Sequence, residues 1–206
     1  MNELTRRQQV ELTFWKNLYA QFPDRLAYLK YRTGDAERHL GRFKGLREAL
    51  AHGVSLEVGT GLVSMLDCYA THSSSWVTTD PLNPVYVDIC SPPRWGVYQD
   101  YPIETLKFDD HTFDRVVCVN TLDHVDDPAK GLAEIHRVLI PLGMLYLEVN
   151  QEVQLAPAHS VVFSGPWVVE ELLGSAGFFV VYEQLCDEDE AYPGYGRMYF
   201  MARRSG

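Results

Sequence analysis

Residues 55–70 read SLEVGTGLVSMLDCYA and contain the feature that decides the fold. A short apolar run ends in Glu57-Val58-Gly59-Thr60-Gly61 and passes directly into a helical pattern at 63–70. The glycines permit a tight turn and let backbone amides approach a ligand with no Cβ in the way. Gly-x-Gly turns also occur as simple strand connections, so this turn alone is a weak signal. We predict that Glu57, Gly59, Thr60 and Gly61 form a nucleotide-type binding turn.

Short β-type runs alternate with helical stretches after this turn. The further strands are predicted at 76–79, 96–98, 115–120, 144–149, 178–183 and 197–203, and the longer helices at 128–139 and 166–176. This alternation is typical of βαβ units around a parallel sheet. The segment 185–196 contains four consecutive acids and a Tyr-Pro-Gly-Tyr-Gly turn, which exclude a crossover helix, so the last strand should be antiparallel. Five prolines between Asp80 and Glu104 predict a truncated or missing second helix.

The first 52 residues differ in charge from the remainder of the chain. They carry a net charge of +4, whereas residues 53–206 carry −14. Apolar residues four apart predict a helix over 3–22, and a second helix is predicted from an N-cap at Asp35 to Gly53. We predict a helical appendage at 1–52 and a binding domain at 53–206. The basic faces either pack on acidic surface or form a lid that guides an acidic substrate.

Composition excludes several classes of protein. The net charge of −10 over 206 residues argues against a protein that coats nucleic acid. No apolar run approaches the roughly 20 residues needed to cross a bilayer, and no signal peptide is visible, which predicts a cytoplasmic protein. The four cysteines and the histidines lack metal-ligand spacing, so we predict reduced thiols and no metal. The sequence gives no indication of an oligomeric state.

Asp80 strengthens the interpretation of the turn. It lies 19 residues after Gly61 at the end of the next strand, where a carboxylate can accept hydrogen bonds from both hydroxyls of a ribose. This spacing fits an adenosine of any kind and does not distinguish S-adenosylmethionine from NAD. The alternative role for Asp80 is capping of the turn before Pro81.

Two neighbouring segments are similar to segments of a known family, and this similarity favours one of these cofactors. Residues 106–117 read LKFDDHTFDRVV, and residues 120–128 read NTLDHVDDP. Together with Arg137-Val138-Leu139 and Pro141-Leu142-Gly143, they resemble the class I, Rossmann-like methyltransferases that act on small molecules. The resemblance covers about residues 54–203. It implies S-adenosylmethionine as cofactor and a three-layer α/β sandwich whose mostly parallel seven-stranded sheet has its last strand reversed.

The resemblance also implies roles for individual residues. Glu57, Gly59 and Gly61 match the turn at the methionine end of the cofactor, and Asp80 matches the acid that binds the ribose. Asn120 and Thr121, after the fourth strand, match the positions that line the sulfonium. The chain departs from the family at three positions, which are Val63 and Leu142 in place of glycines and Pro102 in place of the acid near the adenine. Two nearby acids, Asp100 and Glu104, are the remaining candidates for that adenine contact.

The acceptor is expected beyond the carboxyl ends of the strands. Methyl transfer from a sulfonium is an in-line displacement, so the protein aligns the nucleophile and removes a proton where the acceptor needs it. His124 is the candidate general base, and its alternative role is to order the turn 122–128 by packing. The loops 150–165 and 185–196 are candidate lids. The alternatives to a methyltransferase are a non-catalytic binder of the same fold and a nicotinamide-dependent oxidoreductase.

Overall fold

The computed structural model describes residues 4–70, 75–91, 95–151, 159, 161–186 and 196–206. The helices are α1 (Arg6–Tyr19), α2 (Arg25–Leu40), α3 (Leu46–Leu50), α4 (Met65–Tyr69), α5 (Asn83–Ile89), α6 (Pro128–Val138) and α7 (Pro166–Ser175). The strands are β1 (Val54–Val58), β2 (Ser75–Thr79), β3 (Val97–Gln99), β4 (Phe113–Val119), β5 (Leu139–Gln151), β6 (Phe178–Cys186) and β7 (Gly196–Arg204). A 3₁₀ turn covers Ile103–Thr105.

The strands form one sheet of seven in the order β3-β2-β1-β4-β5-β7-β6. The pairs β1–β2, β1–β4, β2–β3 and β4–β5 are parallel, whereas β7 is antiparallel to both β5 and β6. The predicted mostly parallel sheet with its last strand reversed is therefore confirmed. The strand order changes direction between β1 and β4, and ligands of open α/β sheets bind at the carboxyl ends of the strands at such a point.

Successive residues of β4 explain the three layers. Val116 and Cys118 are buried with the side chains of α6 and α7, whereas Val117 and Val119 are buried with those of α2, α3 and α4. Side chains of a strand alternate between the two faces of a sheet, so a strand that is apolar throughout requires a helical layer on each side. The three-layer sandwich follows from this continuous apolar pattern.

The predicted second helix was wrong in its start and its length. Asp24, and not Asp35, caps α2, because its carboxylate accepts a hydrogen bond from the Ala27 amide at 2.8 Å. Asp35 lies buried inside α2, where Arg32 Nη1 donates to its Oδ2 at 2.5 Å. A separate helix, α3, begins after Gly45, whose φ of 78° interrupts the helical path. The ion pair on the inner face of α2 outweighs the capping preference of this aspartate.

Two further predictions concern the helix after β2 and the extent of β5. The helix after β2 is truncated as expected, because α5 has only seven residues and Pro84 lies in its first turn. Strand β5 is longer than predicted and includes Leu142, whose φ is 65° where the family has glycine.

Most of the candidate lids 150–165 and 185–196 lies outside the described residues. Among the helices that the structure describes, none has the length and apolarity to cross a membrane.

Candidate functional site

A cavity of about 490 Å³ lies at the carboxyl ends of β1, β2 and β4. Gly59 and Gly61 after β1, Asp80 after β2 and Thr121 after β4 all line it. Helix α1 closes the opposite side through residues that include Trp15. The structure therefore brings together candidate residues that are separated by up to 62 positions in sequence, at the place that the strand order predicts.

The backbone of the binding turn requires glycine at two positions. Gly59 and Gly61 have φ angles of 75° and 58°, which place both in the left-handed region. A Cβ on Gly59 would lie 2.0 Å from Thr121 Oγ1, and one on Gly61 would lie 2.4 Å from Trp15 Cζ2. The Gly59 amide also donates to the Thr79 carbonyl at 2.8 Å. The turn is thus packed against β2, the end of β4 and α1 with no room for a side chain.

Asp80 holds the turn and lines the cavity. Its Oδ2 accepts from the Gly61 amide at 3.1 Å, and its Oδ1 accepts from the Leu82 amide at 2.9 Å. Burial raises the pKa of this carboxyl to about 7, although the two amide hydrogen bonds oppose the shift. Both sequence interpretations of Asp80 therefore describe part of its position, because it caps a turn and also borders the cavity.

Glu57 lies behind the turn and does not line the cavity. Its carboxylate accepts hydrogen bonds from the Ser64 hydroxyl and from the amides of Met65 at 2.8 Å and Leu66 at 3.3 Å. Burial raises its pKa to about 7 against the effect of these donors. Glu57 satisfies the first amides of α4 and so joins that helix to the end of β1.

Asn120 and Thr121 border the cavity at the end of β4. Asn120 has a φ of 47°, and its side-chain oxygen accepts a hydrogen bond from the Asn150 amide group at the end of β5. The Thr121 hydroxyl lies 2.9 Å from the Val119 carbonyl and 3.3 Å from the Val58 carbonyl. These contacts fix the ends of three neighbouring strands relative to one another.

The two candidate acids near the adenine position lie in different places. Glu104 lines the cavity, and its Oε1 accepts from the amides of Asp126 at 2.8 Å and Asp127 at 3.4 Å. Asp100 is exposed and lines a separate, smaller pocket beside Asn83. The structure therefore groups Glu104 with the other candidates and does not group Asp100 with them.

His124 lines the cavity beside residues that the sequence did not indicate. Its Nδ1 lies 3.3 Å from Glu11 Oε2, and the Trp15 indole donates to Glu11 Oε1 at 2.7 Å. Burial opposes ionisation of Glu11, but the hydrogen bond and charge of His124 outweigh burial and lower its pKa. His159 stacks edge-on against His124 with ring centroids 4.4 Å apart. The spacing of four residues places Glu11 and Trp15 on one face of α1, but no local pattern indicates that this face meets His124.

A buried charged network forms another wall of the cavity. Glu148 accepts from Arg197 at 2.6 Å and lies 2.7 Å from His39 Nδ1, whose Nε2 lies 3.3 Å from Asp35. Burial opposes protonation of His39, but the charge of Glu148 and the two carboxylate contacts raise its pKa to about 9. Burial likewise opposes ionisation of Asp35, yet His39 and Arg32 lower its pKa to about 2. The carboxylates of Glu148 and Asp35 on the two ring nitrogens therefore favour the protonated form of His39.

We expect the free energy of unfolding to fall as pH rises from 7.5 to 9, because the folded protein keeps the His39 proton in this range whereas the unfolded chain has released it. A histidine with a folded pKa of about 9 stabilises fully below the unfolded value of 6.5 and loses that contribution as pH rises through 9. One proton gives a slope of at most about 1.4 kcal/mol per pH unit. Urea denaturation at several pH values measures this slope, which His39→Gln should flatten. An unchanged slope in the variant would exclude the assignment.

Comparisons with known proteins give a match to one family model and several solved structures of the same fold. Residues 56–147 match the family model described as the methyltransferase domain. A crystal structure of a putative methyltransferase from Bacillus halodurans C-125 has a TM-score of 0.61 at 16% identity, covering 81% of this chain and 99% of that chain. The crystal structure of the [4+2]-cyclase SpnF has a TM-score of 0.69 at 15% identity, and the alignment covers 98% of this chain and 96% of that chain.

A further solved structure contains both ligands of a methyl transfer. The Burkholderia thailandensis 1,6-didemethyltoxoflavin-N1-methyltransferase, crystallised with 1,6-didemethyltoxoflavin and S-adenosylhomocysteine, has a TM-score of 0.61 at 18% identity. The alignment covers 100% of this chain and 93% of that chain. A search of the curated protein sequences found no significant match. The structural likenesses, all below 25% identity, identify the fold.

Proposed function

We propose that this chain is a class I methyltransferase that uses S-adenosylmethionine, and that it methylates a small molecule held between α1 and the end of β4. The single observation that carries the proposal is the cavity that joins the glycine turn, Asp80 and His124 under α1. Its volume of about 490 Å³ lies within the range of sites for small ligands, roughly 300–1,000 Å³.

We place the cofactor along the ends of β1 and β2. Gly59, Thr60 and Gly61 would border its methionine end, and Asp80 would accept hydrogen bonds from the ribose hydroxyls. Glu57 would support the turn from behind through α4, and Asn120 and Thr121 would border the sulfonium. Glu104 is the acid nearest to an adenine placed in this way, since Asp100 lies in another pocket.

Asp80→Asn should weaken S-adenosylmethionine binding by roughly 10-fold to 100-fold. The asparagine keeps the shape of the side chain but has one acceptor oxygen in place of two, so one of the two ribose hydrogen bonds, worth about 1.5–3 kcal/mol to a carboxylate, is lost. Calorimetric titration measures the dissociation constant. Asp100→Asn is the matched control and should bind as the wild type does. Equal affinities of the two variants would contradict the assignment of the ribose site.

We propose that α1 acts as a lid over the acceptor. Its residues Glu11 and Trp15 face the cavity, and Arg7 forms an ion pair with Asp126 in the segment after β4. A cavity covered by one helix excludes water from a sulfonium and admits a small acceptor more readily than a polymer. The division into an appendage at 1–52 and a domain at 53–206 is part of this proposal.

Two measurements test the proposed function. Calorimetric titration with S-adenosylmethionine should give saturable binding, whereas NAD should give none. Incubation with methyl-labelled cofactor and a panel of phenols, catechols and amines should transfer label to a small molecule. Cofactor binding without transfer to any class of acceptor would favour a non-catalytic protein or another chemistry on this fold, as the likeness to SpnF illustrates. Binding of NAD alone would favour an oxidoreductase.

We also propose that the protein functions in the cytoplasm. All four cysteines are free thiols, and Cys90 and Cys118 are buried in apolar surroundings. Free buried thiols are usual in proteins of reducing compartments. Detection of the tagged protein in the cytosolic fraction would support this location.

A further inference from the structure

Asp123, His124 and His159 form a compact cluster at the edge of the cavity. One potential ligand atom from each residue lies within 4.8 Å of the other two. Asp123 Oδ2 lies 3.5 Å from His159 Nδ1, and Asp123 Oδ1 lies 3.9 Å from His124 Nε2. The Asp123 side chain is 2% exposed, whereas the imidazoles of His124 and His159 line the cavity. A buried carboxylate thus lies beside two imidazoles that contact each other and line the cavity.

The separation of 3.5 Å between Asp123 and His159 is close to the spacing of ligands around a single ion, and the separation of 3.9 Å between His124 and the other Asp123 oxygen is somewhat longer. Two ligand atoms of a tetrahedral zinc ion, each about 2.0–2.1 Å from the metal, lie roughly 3.4 Å apart. Two histidines and one carboxylate are also the donor set of catalytic zinc sites that keep one position open. We propose that Asp123, His124 and His159 bind a first-row divalent metal ion, with the open position directed into the cavity.

The contacts behind His124 fit the same role. A metal-bound imidazole usually donates its other N–H to a carboxylate, which fixes its tautomer and orientation. Glu11 Oε2 lies 3.3 Å from His124 Nδ1, on the opposite side of the ring from Asp123. Trp15 in turn donates to Glu11 at 2.7 Å and orients that carboxylate. Helix α1 therefore supplies the outer support of the cluster, and the segment after β4 supplies two of its ligands.

An ion at this position has a specific consequence for the acceptor, which rests on the proposed function. A divalent ion lowers the pKa of a hydroxyl group bound to it, so an oxygen nucleophile ionises near neutral pH. The oxygen would take the open metal position and transfer its proton to water. The oxyanion would then attack the methyl group of the sulfonium, so that an O–CH₃ bond forms as the S–CH₃ bond breaks and S-adenosylhomocysteine leaves. The acceptor class is then a phenol or catechol. In this arrangement His124 Nε2 is a metal ligand and not a general base.

Metal binding is tested without cofactor or acceptor. Protein stripped with a chelator is titrated with Zn²⁺ by calorimetry and with Co²⁺ by visible absorption. The wild type should bind one ion and show Co²⁺ bands that Zn²⁺ abolishes. Asp123→Asn and His159→Gln should lose saturable binding, and Glu11→Gln should weaken it by about 10-fold to 100-fold. Absence of saturable binding in the wild type would overturn the proposal.

The control distinguishes the cluster from a surface histidine. His52 is exposed and lies outside the cavity, so His52→Gln should retain the wild-type Zn²⁺ affinity. Equal affinity in His159→Gln and His52→Gln would also overturn the proposal. If Asp123→Asn does not fold, His159→Gln and Glu11→Gln carry the test. Failure of metal binding with intact S-adenosylmethionine binding would reject the metal site alone and leave the proposed function standing.

Discussion

Gly59→Ala is expected to abolish measurable binding of S-adenosylmethionine. The native φ of 75° costs a residue with a Cβ of order 1 kcal/mol or more, and the new methyl group would lie 2.0 Å from Thr121 Oγ1. Relief of that overlap requires movement of the turn or of the end of β4, and both border the proposed cofactor site. We expect at least a 100-fold loss of affinity, equivalent to about 2.7 kcal/mol.

Calorimetry measures this loss, and Gly34→Ala is the matched control. Gly34 is an exposed residue within α2, and a Cβ there would meet no atom within 4 Å. Alanine is a better helix former than glycine, so this control should gain about 0.5–1 kcal/mol of stability and retain cofactor affinity. If Gly59→Ala bound the cofactor like Gly34→Ala, the turn would not be the binding site. Thermal unfolding of both variants verifies that they are folded.

The sheet could be predicted because its signals are local. The apolar run 55–58, the glycines after it and the helix that follows each depend on neighbouring residues, and the structure confirms all three. The reversed direction of β7 could also be predicted, because the absence of a crossover helix is visible in the sequence. Local patterns of residues are sufficient for these features.

The buried network around His39 could not be predicted, because its members meet only after folding. Glu148 lies 109 positions from His39 and 49 positions from Arg197 along the chain. Asp35 illustrates the error that follows from local reasoning. Its type and position favoured a helix cap, whereas its ion pair with Arg32 places it inside α2. Periodicity indicates which face of a helix is buried but not which charged residue from a distant strand will meet it.

The candidate site could be predicted only in part, because some of its residues follow strands directly and others meet only after folding. Residues that directly follow a strand, such as Asp80 and Asn120, line the cavity because parallel strands end at one edge of the sheet. Asp100 follows β3 by one residue and yet faces a different pocket, so position after a strand was insufficient there. The contribution of Glu11 was missed, because it depends on how α1 crosses the sheet edge and no local pattern specifies that crossing.

His124→Gln is expected to reduce turnover by roughly 10²-fold to 10⁴-fold, while S-adenosylmethionine affinity changes little. This is the usual contribution of a group that removes or assists loss of a proton in the transition state. Glutamine retains a polar group of similar reach but neither titrates near neutral pH nor binds a metal well. Release of S-adenosylhomocysteine with an acceptor from the small-molecule panel measures the effect. Near-wild-type turnover would mean that His124 only orders the turn 122–128.

Two companion variants separate the roles that His124 could have. Glu11→Gln removes the carboxylate next to His124 Nδ1 and, as a positioning change, should lower turnover more than it raises the KM for the acceptor. His52→Gln changes an exposed histidine outside the cavity and should leave turnover unchanged. If His124 is a general base, metal-free protein should remain active. If His124 is a metal ligand, chelation should abolish turnover, and added Zn²⁺ should restore turnover in the wild type but not in His124→Gln. The chelation result therefore decides which chemistry the imidazole performs beside the end of β4.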